Sequence, residues 1–189
     1  MNYNEYIRRA YDTACKHGFH DKSQPKNHWL MMAITEVAEM VEADRKEKHA
    51  NVAMFKREAF SKQPKENRNN HWIYCFELFI KDTFEDEMAD VCIRLFDLAG
   101  VLGYQYYPYN KEIFPDDYLQ SFRNQSVTEK AFDVCKILTR INTATKTRFQ
   151  QAIFYLVSWA KSENIDLEWH IAQKMEYNEH RVKMHGKKY

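Results

Sequence analysis

Apolar residues recur every three or four positions over most of this 189-residue chain, which is the spacing of one face of an α-helix. Turn-forming residues are scarce, with four glycines and four prolines, and this favours long helices over many short strands. Gly18 and Gly100 are predicted to end helices, and Ser126 with Glu129 forms a capping box that begins one. The pattern predicts helices over about 3–14, 25–48, 83–99, 126–141, 145–163 and from 166 towards the C-terminus.

Two stretches interrupt this pattern. Residues 61–70 are polar and predict a connector, and residues 104–125 predict a long aromatic-rich loop, with or without a short helix in it. We therefore predict an all-α fold, an antiparallel helix bundle with a four-helix core and additional helices, formed by residues 1–189 as a single domain.

Composition narrows the class of protein. Lys and Arg number 28 against 27 Asp and Glu, and this balance argues against a nucleic-acid partner bound through a large basic field. No apolar run is long enough to span a bilayer, and the first residues contain no apolar core of a signal peptide. The four cysteines form no C-x-x-C pair, which predicts small buried side chains in a reducing compartment. We expect a cytoplasmic protein with neither a nucleic-acid nor a membrane partner.

The predicted second helix places acids on its apolar side. In the segment ITEVAEMVEA, Glu36 and Glu39 face one largely apolar direction, whereas Glu42 points further round towards solvent. Like charges one turn apart repel each other, and partial burial raises that cost unless a cation pairs with them. Without a metal, this repulsion predicts that Glu36→Gln leaves the fold as stable or stabilises it by roughly 0.5–2 kcal/mol.

The predicted helix over 83–99 repeats the arrangement with Glu87 and Asp90. Two helices that each carry a carboxylate pair can bring four carboxylates together across a bundle, and such oxygen ligands suit Mg²⁺ or Mn²⁺. A di-iron bundle would need Glu-x-x-His, which the sequence lacks. The alternative is that both pairs are solvated acids on amphipathic helices.

The predicted last helix carries donors that suit a polyphosphate. Spacings of four, three and four place Lys, Asn, Arg and His side chains on one helical face, followed by two further lysines. The alternative is a basic C-terminal tail. The residues are Lys174, Asn178, Arg181, His185, Lys187 and Lys188.

These motifs together resemble the all-α NTP pyrophosphatases, the group that includes MazG-like proteins and dimeric dUTPases. Three stretches are similar to the sequence motifs of that group: E-x-x-E on one helix, E-x-x-D on the next and the tail KMEYNEHRVKMHGKKY. The connection differs, because Glu39 and Glu87 are 48 positions apart (87 − 39), which is longer than is usual in the group. The extra length corresponds to residues 50–81.

The resemblance implies a Mg²⁺-dependent hydrolase that converts an NTP or dNTP to the monophosphate and pyrophosphate. It implies that Glu36, Glu39, Glu87 and Asp90 are metal ligands and catalytic residues, and that Lys174, Asn178 and Arg181 contact phosphates. Residues just ahead of the first acidic helix are candidates for the base site: His20, Asn27, His28 and Trp29. Two alternatives stay open, a dUTP- or dCTP-specific enzyme of the same fold and a non-catalytic helical module that binds nucleotides or a partner chain.

The resemblance also implies a homo-oligomer, a dimer or a tetramer. The sequence adds one hint, because aromatic residues crowd the predicted loop and need a surface to bury against. These residues are Tyr104, Tyr106, Tyr107, Tyr109 and Phe114.

Overall fold

The computed structural model describes residues 2–61, 68–107, 114–141 and 146–186. Within these ranges the chain forms nine α-helices, one short 3₁₀ helix and no strand, so the predicted all-α bundle is confirmed. The α-helices are α1 Tyr3–Lys16, α2 Lys26–Arg45, α3 Val52–Ala59, α4 Arg68–Phe79, α5 Phe84–Val101, α6 Asp116–Arg123, α7 Val127–Thr139, α8 Lys146–Ser162 and α9 Leu167–Glu179, and the 3₁₀ helix is Lys183–Gly186. None of the helices described is long and apolar enough to cross a membrane.

Helix α5 lies at the centre and packs against α1, α2, α8 and α9. The hydroxyl of Thr83 caps its first turn by accepting from the amide of Asp86, and most of its side chains are buried. The amide of Phe84 donates to the carbonyl of Lys48, just after α2, over 2.9 Å. Further along α5, Arg94 reaches Glu36 in the middle of α2, so these two helices run antiparallel.

The two predicted glycine stops have different outcomes. Gly18 (φ +82°) follows α1, where its amide and that of Phe19 close the helix on carbonyls of the last turn, as predicted. Gly100 lies inside α5, which continues to Val101, so the predicted stop there is wrong. A Cβ at Gly100 would lie 2.5 Å from the Cβ of Tyr11, and this glycine therefore serves the close approach of α1 to α5.

Helices α3 and α4 form a helical hairpin beside the bundle. Helices α3 and α4 enclose a small apolar cluster of their own, to which Tyr177 of α9 contributes. The rings of Phe76 and Tyr177 stack with centroids 4.6 Å apart, and the Tyr177 hydroxyl donates to Glu77 over 2.7 Å. This packing fixes where the chain re-enters the bundle at Lys81 and Asp82.

The remaining loop and cysteine predictions are met in part. Within the predicted connector, α4 begins at Arg68, and residues 62–67 lie outside the described residues. Within the predicted loop, 116–123 form α6, and 108–113 lie outside the described residues. Cys75 and Cys92 are buried as expected and Cys135 partly so, but Cys15 is exposed, and all four are free thiols.

Candidate acidic site

A cavity of about 220 Å³ lies between α1, α2, α5 and α9. Helix α2 contributes Glu36 and Glu39 to its wall, and α5 contributes Glu87 and Asp90. The structure thus brings together the two carboxylate pairs that the sequence placed on separate helices. Their roles as metal ligands and catalytic residues stay predictions.

The carboxylates of this cavity lie close enough to share a cation. One oxygen from each of Glu36, Glu39 and Glu87 falls in a group whose members lie within 4.8 Å of one another. Asp82, Asp86 and Glu87 form a second group on the same criterion. Such all-oxygen sets are the ligands that Mg²⁺ prefers.

Three buried oxygens around the cavity have no hydrogen-bond partner among the described residues. They are Oδ1 of Asp86, Oε2 of Glu87 and the side-chain oxygen of Asn178. A buried polar atom without a partner is costly, because it has lost its hydrogen bonds to water. A bound cation would supply that partner, so the donor set fits a divalent metal.

Burial and neighbouring charge both disfavour ionisation of Glu87. Desolvation and then the charge of Asp90 raise its pKa from the ordinary 4.5 to about 9, although Lys174 acts in the opposite direction. Metal-free protein at neutral pH therefore holds Glu87 mainly in its protonated form. Binding a cation there requires loss of that proton.

Arg94 changes the expectation for Glu36. Its Nε lies 2.8 Å from Oε1 of Glu36, in a pair that is largely buried. Burial alone would lower the pKa of Arg94, but Glu36 and Asp90 raise it above its ordinary value. Arg94 thus offsets part of the cost of ionising Glu36, but burial and the charge of Asp90 still raise the pKa of Glu36 above its ordinary value.

Lys174 and Asn178 lie on α9 and line the cavity. Helix α9 ends at Glu179, so the predicted continuous helical face through Arg181 and His185 is wrong. Arg181 nevertheless lines the cavity from the segment that follows. Lys187, Lys188 and the side chain of His185 lie outside the described residues.

The candidates for the base site divide between two places, and His28 lies within α2, which begins at Lys26, and not ahead of it. His28 lines a neighbouring cavity of about 320 Å³. Phe19 lines both this cavity and the acidic one and lies between them. The ring of His28 packs edge-on against Trp29. The structure thus does not bring His28 to the carboxylates. His20 is closer to them, because its Nε2 lies 2.7 Å from Oδ1 of Asp97, a residue of the acidic cavity.

Sequence reasoning missed several residues of the site on α5. Asp86, Arg94 and Asp97 follow spacings of four, four and three together with Asp90, which makes a polar stripe along a helix that is otherwise mostly apolar. This stripe was a usable signal, because a helix buried on nearly all sides has no solvated face on which to carry charges. Lys81 and Asp82 carried no such signal, since the hairpin's packing brings them to the cavity.

No family model, curated protein or solved structure matches the chain. The resemblance to all-α NTP pyrophosphatases therefore rests on the motifs alone.

Proposed function

We propose that this protein is a Mg²⁺-dependent nucleoside triphosphate pyrophosphohydrolase, which converts an NTP or dNTP and water to the monophosphate and pyrophosphate. The observation that carries the proposal is the convergence of Glu36, Glu39, Glu87 and Asp90 on one cavity that also presents Arg181. Carboxylates that hold a divalent cation beside a cationic donor are what a triphosphate substrate requires.

In this proposal the acidic side chains of the cavity bind the metal, and its cationic and amide side chains bind the phosphates. Glu36, Glu39 and Glu87 would hold Mg²⁺, or Mn²⁺ in its place, with Asp90 beside them. The ion, when bound, lowers the pKa of a coordinated water and neutralises phosphate charge. Arg181 and the amide of Asn178 donate to phosphate oxygens.

The attacking water forms a new bond to the α-phosphorus while the bond to the bridging oxygen of the leaving pyrophosphate breaks. Of the four predicted carboxylates, Glu39 alone is exposed to solvent, so we assign to it the acceptance of the water's proton.

The test is pyrophosphate release from each common NTP and dNTP with Mg²⁺ present. Glu39→Gln should lower turnover by at least about a hundredfold. Glu42→Gln is the matched control, because it lies on the same helix, outside the cavity, and ion-pairs with Arg45 and Lys46. We expect it to keep parental turnover.

The substrate profile separates the alternatives. Release from dUTP or dCTP alone would identify the narrower enzyme. The absence of release from every nucleotide would overturn the proposal and favour a non-catalytic nucleotide- or partner-binding module.

We also propose a homo-oligomer, most simply a dimer, in a cytoplasmic protein. The aromatic loop supports this less than the sequence suggested, because Tyr104 and Tyr106 are buried in the chain's own core, and Tyr109 lies outside the described residues. Better support comes from Tyr74 and Leu78, which are exposed one turn apart on α4. Light scattering that gives the 22.8 kDa mass of one chain at micromolar concentration would contradict the oligomer.

A further inference from the structure

The ammonium of Lys174 lies among carboxylates of α5 rather than at the mouth of the cavity. Its Nζ is 2.5 Å from Oδ2 of Asp86 and 2.8 Å from Oδ2 of Asp90, and its side chain is 4% exposed. The same oxygen of Asp86 accepts the backbone amide of Asp82 over 3.0 Å. Lys174 is therefore clamped by a residue that the backbone itself holds in place.

The charge of Lys174 is secured by its neighbours. Burial alone would lower the pKa of this lysine, but Asp86, Asp90 and Glu87 raise it above its ordinary value. The aromatic face of Phe76 lies 6.0 Å from Nζ on another side. Two of the three ammonium donors are thus committed to carboxylates, which leaves little for a phosphate.

Arg181 has a different environment. It is half-buried, and it makes no ion pair within the described ranges. Its guanidinium lies 5.8 Å from the ring centroid of Tyr177. An arginine that is held by an aromatic ring, with its donors uncommitted to carboxylates, is better suited than Lys174 to meet an incoming anion.

We propose that Lys174 is the resident counter-cation of the acidic cavity, a positioning residue that holds Asp86 and Asp90 and occupies a place that a divalent cation would otherwise take. Lys174 thereby limits how many metal ions the carboxylates accept and how tightly they bind. The inference rests on the proposed function for the use of a metal, and it replaces the phosphate contact that the sequence suggested for this lysine.

The first test is Lys174→Met, studied without nucleotide. In EDTA its melting temperature should fall by about 10 °C, because Asp86 loses the cation that compensates its burial. Mn²⁺ titration followed by electron paramagnetic resonance should show at least about tenfold tighter binding, or one additional ion per chain, since a nearby positive charge is gone. Mn²⁺ should also raise the melting temperature of this variant more than that of the parent.

The second variant, Asp86→Asn with Lys174→Met, removes both charges of the pair. In EDTA its melting temperature should return towards that of the parent. Its Mn²⁺ affinity should likewise return towards the parental affinity. This variant keeps the test usable if Lys174→Met alone does not fold. A double variant that is no more stable in EDTA than Lys174→Met would show that Lys174 does not act by compensating the charge of Asp86.

Lys130→Met is the matched control. Lys130 is a buried lysine that pairs with Glu163 over 2.6 Å, and neither residue lines the acidic cavity. It should lose stability in EDTA but bind Mn²⁺ as the parent does. Mn²⁺ affinity of Lys174→Met that is equal to or weaker than the parental affinity would overturn the counter-cation role.

The outcomes separate this inference from the proposed function. A parent protein that binds no Mn²⁺ at all would count against the metal-dependent hydrolase and against the counter-cation role. A parent that binds Mn²⁺ and releases no pyrophosphate would overturn only the hydrolase.

Discussion

Replacing Glu87 by Gln should stabilise the metal-free protein in a pH-dependent way. The side chain is nearly fully buried, one of its oxygens has no partner among the described residues, and burial with the charge of Asp90 raises its pKa to about 9. Between pH 4.5 and 9 the folded protein keeps a proton on this carboxyl group that the unfolded chain has lost. The free energy of unfolding therefore falls as the pH rises through this range.

The size of the effect follows from the distance between the two pKa values. At pH 7 the solution lies two and a half units above the ordinary pKa, and each unit contributes about 1.4 kcal/mol, so Glu87 lowers the stability by about 3 kcal/mol. At pH 5.5 the corresponding cost is about 1 kcal/mol. Gln has nearly the same shape and no charge to desolvate, so the variant should exceed the parent by about these amounts.

Guanidinium unfolding in EDTA at several pH values from 5.5 to 8 measures this difference. Glu39→Gln is the control, because Glu39 is an exposed carboxylate of the same cavity, and its effect should stay within about 0.5 kcal/mol. Stability curves of the parent and Glu87→Gln that run parallel over this pH range would refute the reasoning. In the parent, Mg²⁺ affinity should also strengthen with pH up to about 9, by at most about tenfold per unit, because metal binding must displace the proton.

Three further predictions concern other contacts. Glu36→Gln should stabilise the metal-free protein at pH 7, but by less than Glu87→Gln, because burial and Asp90 raise the pKa of Glu36 whereas Arg94 lowers it; a Glu36→Gln protein less stable than the parent in the same unfolding assay would show that Arg94 outweighs both. Arg181→Ala should raise the KM for the triphosphate by about tenfold to a hundredfold, the loss expected for a contact of about 1.5–3 kcal/mol, and should leave the metal-free melting temperature within a few degrees of the parent; unchanged kinetics would mean that no phosphate reaches this residue. Gly100→Ala should cost about 1–3 kcal/mol, because the added methyl group meets the side chain of Tyr11 at 2.5 Å, and denaturant midpoints equal to the parental one would contradict that packing.

Local patterns in the sequence were enough to predict most of the helices and the faces that carry the acids. Helical periodicity is a local property, and residues three apart share a face wherever the helix is placed. For this reason the pairs Glu36–Glu39 and Glu87–Asp90 could be read as neighbours before any packing was known. The capping box at Ser126, which the structure confirms, is local in the same way.

Which charges lie next to each other depends on how the helices pack. Arg94 is 58 positions from Glu36, and Lys174 is 88 positions from Asp86, so no periodicity within one helix relates them. The hairpin of α3 and α4 likewise docks through distant residues, because Tyr177 and Trp169 of α9 pack in its apolar cluster. The size of the response to a charge substitution depends on these long-range partners, because a cation beside a buried carboxylate offsets the cost of burial and another carboxylate adds to it. Packing therefore makes the expected response to loss of charge smaller at Glu36, which pairs with Arg94, than at Glu87, although sequence reasoning treated the two alike.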